Sequence, residues 1–360
     1  MSPPAWRDVD KVLCVRLDSL GDVLMCTPAM RAIKQSRPGR KLSLLTSASG
    51  AAAAPYIPEL DAVLEYPAPW IKGSPVNAAE RGAAMIALLA AHHFDAAVIF
   101  TSYSQSALPA ALMCHLAGIP ARLAHCRENP HQVLSDWVPE PEPEQLVRHE
   151  VQRQLDLVAS VDWHASCSRL SFSVPAPVLR HVQAHLAQHG IGAGQPFILL
   201  HPGASAPSRR YPAPLWAKVV GELAQRTAWP LVLTGEAPEA ALIEDIRTAS
   251  GVAVLSLAGQ LDLGQLGAAI KLASVVVSSN TGPAHMAAAI GTPLVNLYAL
   301  TNPQHTPWQV DSRLLFHDMP CKFCYKSACP QGTNDCLAQI APQRVVEAVR
   351  SLMWHAAANA

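Results

Sequence analysis

Short apolar runs that alternate with longer amphipathic segments constrain this chain more than any other feature. Lys11–Leu17, Leu42–Thr46, Ala62–Glu65 and Ala96–Phe100 read as strands, with helices at Val23–Lys34, from about Ser49, at Asn77–His92 and at Ala107–Ala117. The alternation restarts with strands at Phe197–His201, Leu231–Thr234, Val254–Leu257, from Val275 and at Leu294–Leu297, and with helices at Tyr211–Thr227, Glu239–Thr248 and Leu263–Leu272. Strands this short and this uniformly apolar are buried on both faces, which a parallel, doubly wound α/β sheet provides. Two such series predict two Rossmann-like domains facing each other across a cleft, with ligands at the carboxyl ends of the strands. The boundary falls near Phe172–Pro177, giving domains at 1–175 and 176–342 and a closing helix at 343–360 able to pack back on the first. Val138–Glu144 is acidic, proline-rich and extended, with the character of a linker.

Composition narrows the partners. The 360 residues are half apolar and carry a formal net charge of zero, which gives no support for bulk nucleic-acid binding. Neither an export signal nor an apolar stretch near 18 residues is read, so the expected location is cytoplasmic, with any membrane contact peripheral. Nine cysteines in such a chain are expected as reduced thiols.

The stretch Val275–Pro293 offers chemistry as well as structure. A β-branched run ends in Ser278–Ser279–Asn280, a Thr281–Gly282–Pro283 turn follows, and an alanine-rich helix stops at Gly291. Proline suits a first helical turn, Thr281 or Asn280 can cap it, and the exposed N–H groups with the helix dipole suit an anion such as a diphosphate. The same pattern also serves packing alone. His285, one turn into that helix, is either a packed residue or a hydrogen-bond partner for a phosphate or sugar hydroxyl. At the end of the first strand, Ser19, Gly21 and Asp22 precede a helix. Asp22 is either a cap or a general base that accepts a proton from an attacking hydroxyl. Cys321, Cys324, Cys329 and Cys336 form C-x2-C-x4-C-x6-C, which suits free thiols holding a loop or a structural zinc site. Arg31, Lys34, Arg37, Arg40 and Lys41 are a basic run without an acid, either a solvated face or a docking surface for an anionic glycolipid at the inner membrane.

These pieces resemble glycosyltransferase family 9, the ADP-heptose:lipopolysaccharide heptosyltransferases and their relatives. The resemblance rests on Arg16–Asp22 with Thr27–Pro28–Ala29, His201–Ser205 with Arg209–Pro212, Thr234–Gly235–Glu236, Asn280–His285 and Cys321–Cys324, in family order along nearly the whole chain. It implies a GT-B fold and an inverting, metal-independent transfer from a nucleotide sugar, with no cofactor required. By resemblance Asp22 is the base. Ser205, Arg209, Thr281, Gly282 and His285 hold the diphosphate, Arg209 standing where the family has lysine. Glu236 meets the ribose, Leu261 the base and Asn280 the sugar, while Ser19 and Gly21 lie on the acceptor side. Asn280 replaces the family's aspartate, which leaves the sugar open. The implied reaction moves heptose from an ADP-sugar to a lipopolysaccharide-core hydroxyl, with an anionic glycolipid as acceptor. A relative using another nucleotide sugar or a protein acceptor, and a non-catalytic binder, are the alternatives. A dinucleotide enzyme is disfavoured, because the first strand ends in Leu20–Gly21–Asp22 rather than G-x-G-x-x-G.

Overall fold

The computed structural model describes residues 5–71 and 78–358, so Asn77, expected in a helix, lies outside them. The chain divides into two compact units, Met1–Ser171 and Phe172–Ala360, just before the expected boundary.

The first unit contains β1 (Lys11–Arg16), α1 (Leu20–Gln35), β2 (Lys41–Thr46), α2 (Ala48–Ala51), β3 (Ala62–Glu65) and α3 (Ala78–His92). It continues with β4 (Ala96–Ile99), α4 (Leu108–Leu116), β5 (Ala121–Cys126), β6 (Asp136–Pro139) and α5 (Glu150–Ala159). Its six parallel strands run in the order β3-β2-β1-β4-β5-β6. β1 pairs on both sides, with β2 and β4, and its residues after Lys11 are buried, so the strand is apolar without alternation.

Two strands of this unit escape the sequence pattern. β5 contains Arg122 and His125, yet all six of its residues are buried. The strand tolerates them because Arg122 donates to the carbonyls of Pro120, Gln132 and Val133, and His125 Nε2 lies 3.2 Å from the Arg153 carbonyl. β6 is an edge strand, where Pro139 costs no ladder bond. The acidic stretch after it is no linker. Glu142 is buried and pairs with Arg148 at 3.2 Å and Arg153 at 3.1 Å, and Glu140 accepts from Arg153 at 3.0 Å.

α1 begins at Leu20, earlier than expected, and carries Pro28 in its interior. Proline leaves the carbonyl four residues back without its N–H. Thr27 Oγ1 donates to that carbonyl, Leu24 O, at 2.6 Å, and accepts the Ser171 N–H at 2.9 Å, which ties the end of the unit to the helix.

The second unit contains α6 (Ala176–Gln188), β7 (Ile198–His201), α7 (Ala213–Arg226), β8 (Leu231–Leu233), α8 (Ala240–Ser250), β9 (Leu255–Ser256) and α9 (Leu263–Leu272). It continues with β10 (Val275–Ser279), α10 (Gly282–Ile290), β11 (Leu294–Leu297), β12 (Ser312–Leu315), α11 (Asp335–Ala338) and α12 (Pro342–Ala358). Its parallel order, β12-β11-β10-β7-β8-β9, repeats that of the first sheet when each set of strands is counted from its own start. The closing helix α12, expected as able to return to the first domain, groups with the second unit and lies against α7 and β10 to β12. Strand order reverses between β1 and β4 in one unit and between β7 and β10 in the other. Parallel sheets bind ligands outside the carboxyl ends of the strands at such points.

Candidate functional site

In the first unit the switch point is built on Arg16, the last residue of β1. Arg16 is 1% exposed and lies 2.9 Å from Asp18, 3.0 Å from Asp22 and 2.7 Å from Glu150. Burial opposes its charge, but Asp18, Glu150 and Asp22 together outweigh that and push its pKa up. Asp22 is the third residue of α1 rather than its cap. Ser19 is the cap, and Asp22 Oδ2 accepts the Ser19 N–H at 3.1 Å and the Ser19 hydroxyl at 2.6 Å. The cap role read for Asp22 therefore falls to Ser19, and Asp22 closes the capping box from within the first turn. The same carboxylate remains part-exposed with a cation behind it, a disposition open to a hydroxyl donor. Gly21 is buried in the first turn. Burial pushes the Asp18 carboxyl up, Arg16 opposes this, and Asp22 adds to the rise.

Glu150 and Gln105 went unread in the sequence, and Arg16 was read only as the first residue of the Arg16–Asp22 segment, without a role. A charged residue closing an otherwise buried strand was the available signal for Arg16, since a buried guanidinium demands partners. Glu150, 134 residues away in the chain, offered none.

The basic run on and after α1 divides between buried Arg40 and partly exposed residues held in ion pairs, with Lys41 the most exposed. Arg31 lies 3.0 Å from Glu59 and donates to the carbonyls of Cys167 and Arg169, and Lys34 pairs with Asp61. Arg37 pairs with Asp10 at 2.9 Å and Lys41 with Asp61 at 3.1 Å. Arg40 is buried, donates to the Val9 carbonyl at 2.9 Å and lies 4.7 Å over the Trp163 ring. The acids absent from the run come from elsewhere in the chain.

In the second unit the expected strand–turn–helix is present. Thr281 stands at the N-cap position of α10 without a side-chain cap bond, its Oγ1 donating instead to the Ser279 carbonyl at 3.4 Å, Pro283 lies in the first turn, and Gly291 ends the helix in the left-handed conformation at φ 91°. Arg209 sits in a short turn after β7, with its guanidinium 3.4 Å from the Asn280 carbonyl oxygen at the start of α10. Arg210, by contrast, donates to the Ala204 carbonyl at 2.8 Å. Ser205 is exposed on the same loop. His285 is buried on α10, and its ring meets His305 edge-on at 6.4 Å.

Asn280 is 5% exposed. Its Oδ1 accepts the Ala299 N–H at 3.2 Å and its Nδ2 donates to the Ala299 carbonyl at 3.4 Å. The side chain therefore staples the end of β10 to the chain just after β11. An aspartate could make only the first of these bonds.

Glu236 is exposed and caps a short turn, the bland role for an acid there. Glu239 is the carboxylate that reaches inward. It accepts the Glu236 N–H at 2.9 Å, and a Cβ built on Gly203 would overlap it. Its Oε2 lies 3.9 Å from Nε2 of His201. The absence of a side chain at Gly203 leaves room for the Glu239 carboxylate against the loop after β7. Leu261 is half-buried just ahead of Asp262, the cap of α9.

The four late cysteines are free, half-buried and line one small cavity. Among the described residues, no group of three or more histidine, cysteine or acidic side chains is disposed to hold a metal ion. At Cys329 burial pulls the thiol up, and backbone N–H groups of residues 331–334 outweigh it and lower the pKa. The segment has a mechanical role. Ser208 donates through N–H and Oγ to the carbonyls of Ser327 and Lys326 at 3.1 and 2.8 Å, and Asn334 Nδ2 donates to Pro207 O at 3.0 Å. The cysteine segment thus buttresses the turn that carries Arg209.

A model of glycosyltransferase family 9 (heptosyltransferase) matches residues 84–334. Lipopolysaccharide heptosyltransferase 2 of Escherichia coli K12 is 24% identical over 358 residues, 95% of this chain and 98% of that protein. Lipooligosaccharide heptosyltransferase 2 of Campylobacter jejuni is 26% identical over 165 residues, 44% of this chain but only 52% of that protein. The solved structure of E. coli ADP-heptose lps heptosyltransferase II matches with a TM-score of 0.73 at 21% identity, over 96% of this chain and 99% of that one. That likeness shows the fold, two Rossmann-like units of the GT-B type.

Proposed function

The chain belongs to glycosyltransferase family 9, and on that premise we propose that it moves a heptose from an ADP-sugar to a hydroxyl of a lipopolysaccharide-core glycan, with inversion. The observation that carries the reading is the start of α10, where Arg209 lies against the Asn280 carbonyl beside the cap Thr281. A nucleoside diphosphate leaves as an anion, and a fixed guanidinium with a helix dipole stabilises it without a metal. The N–H groups of Thr281 and Gly282 and the Ser205 hydroxyl would complete that seat, and His285 would reach a phosphate or sugar oxygen.

In the proposed reaction Asp22 takes the proton of the acceptor hydroxyl. The hydroxyl oxygen bonds to the anomeric carbon as the bond to the diphosphate oxygen breaks, and ADP departs. Leu261 would face the base. Glu236 would meet the ribose from the exposed start of its turn, with Glu239 accepting the Glu236 N–H behind it. Asn280 favours keeping a second reading, another nucleotide sugar, because both ends of its amide are engaged by Ala299. A peripheral contact with the inner membrane follows from such an acceptor, and among the described residues no helix is long and apolar enough to cross a membrane.

Thermal-shift titration with ADP-, UDP-, GDP- and CMP-sugars tests the donor. Selective stabilisation by ADP-heptose is expected, and a preference for a UDP- or GDP-sugar would move the assignment to the second reading.

A further inference from the structure

The segment that carries Cys321, Cys324, Cys329 and Cys336 is held in place against its own backbone preferences. Phe323 and Tyr325 sit in the left-handed region at φ 61° and 53°, which is unfavourable for aromatic residues. Their N–H groups donate to the carbonyls of Leu300 and Thr301 at 2.6 and 2.8 Å, just beyond β11. Other cross-links run to the turn of Arg209, from Ser208 to the Ser327 and Lys326 carbonyls and from Asn334 to the Pro207 carbonyl. A change in this segment is therefore felt at Arg209.

The four thiol residues line one cavity of about 20 Å³, room for about one water molecule. Cys14, Cys26, Cys114 and Cys126 are buried elsewhere, and burial pushes their thiols up and keeps them inert. Cys329 differs. It is only half-buried, and although burial raises its thiol, the backbone N–H groups of Asn334, Gln331, Gly332 and Thr333 outweigh that and favour the thiolate. Cys336 faces the same cavity from α11. Burial raises its thiol, the Leu300 backbone opposes this, and charge on Cys329 adds to the rise ahead of Cys321 and Cys324, so Cys329 is its strongest sulfur neighbour. A disulfide sulfur is a weak acceptor, so oxidation of Cys329 removes the charge that gathers those N–H groups. Asn334 is among them, and its side chain also holds Pro207.

We propose that Cys329 is an oxidation site for peroxides, that Cys336 resolves it to a Cys329–Cys336 disulfide, and that the bridge releases the turn carrying Arg209. The Cys329 thiolate attacks one oxygen of hydrogen peroxide. A sulfur–oxygen bond forms, the oxygen–oxygen bond breaks, and the departing hydroxide takes up the proton that the thiol lost. The Cys336 sulfur then attacks the sulfenic sulfur. The sulfur–sulfur bond forms, the sulfur–oxygen bond breaks, and water leaves with the Cys336 proton. The thiol pair loses two electrons, and the peroxide is reduced to water. The consequence for the donor, a weaker hold on its diphosphate, rests on the proposed role of Arg209.

The test treats the reduced full chain with hydrogen peroxide and maps the products by peptide mass spectrometry. A Cys329–Cys336 bridge reversed by dithiothreitol is expected, and in Cys336→Ser a sulfenic acid on Cys329 that dimedone captures. Amide hydrogen exchange on the same samples reads the turn without any donor. The peptide containing Ser208 and Arg209 should exchange at least about tenfold faster after oxidation, and peroxide should leave it unchanged in Cys329→Ser. No bridge, a bridge between other cysteines, or a Ser208 peptide indifferent to oxidation would each overturn the proposal. ADP-heptose binding, measured before and after peroxide, should weaken by about tenfold or more. If the bridge and the faster exchange are seen but the reduced chain does not bind ADP-heptose, only the donor reading falls. If both forms bind it equally despite the faster exchange, Arg209 leaves the donor seat and the oxidation site stands.

Discussion

Arg16 gathers the carboxylates at the switch point of the first unit from a position where a charge is costly. A buried guanidinium is tolerated only with its partners in place, and here three carboxylates supply them. Asp22→Ala should lower transfer by about 10²–10⁴-fold, the usual contribution of a general base, while ADP-heptose still raises the melting temperature. Transfer at near-parental rate by the folded variant would remove Asp22 from the role. Glu150 acts at one remove, by fixing the guanidinium that holds Asp22. Glu150→Gln keeps the shape and removes the charge, so kcat per folded molecule should fall while the acceptor KM stays put. A variant that only lowers the urea midpoint, with kcat unchanged, would make Glu150 structural. Asp22 was legible in the sequence because it stands next to its glycine at a strand end. Its holders were not, because the fold alone brings α5 to β1.

At the scale of elements, the strand–turn–helix at 275–293 was the most legible segment, since cap, proline and terminal glycine are local signals that need no tertiary partner. Its one departure from the family is explained only by structure. Asn280 stitches β10 to the chain beyond β11 through both ends of its amide. Asn280→Asp should therefore place a carboxylate against the Ala299 carbonyl and destabilise the second unit by about 1–3 kcal/mol. Urea unfolding would show this as a lower midpoint, and an unchanged midpoint would mean that the staple is dispensable. The elements that escaped the sequence reading share a cause. β5 and the acidic stretch after β6 carry buried charges satisfied by carbonyls of the following loop and by guanidinium groups of Arg148 and Arg153, pairings that no local pattern states, so their polarity imitated loop and linker.

At the scale of the whole molecule, His125 is buried in the first unit and His201 and His285 in the second. Burial pushes His125 down to about 4, with Arg153 adding to the effect, and burial alone pushes His201 down to about 4. The unfolded chain takes up these protons near the ordinary value of 6.5, so between 6.5 and 4 it binds more protons than the native state. Stability is thus full above that window and falls as the pH drops through it, by at most about 3 kcal/mol per histidine. Urea midpoints at pH 7 and pH 5 should differ accordingly, and His201→Gln should flatten the dependence. Equal midpoints for the parent chain would contradict the burial argument. The sequence by itself pointed to two parallel sheets and to the local shape of the turn at α10, because hydrophobic period and helix caps act over a few residues; the strand order and its switch points came from the fold. Only tertiary structure decided which charges are committed: the basic run became a set of ion pairs, Glu239 rather than Glu236 turned inward, and Arg16 gathered three carboxylates. Charge pairing follows from neighbours in space, and the order of residues along the chain does not state them.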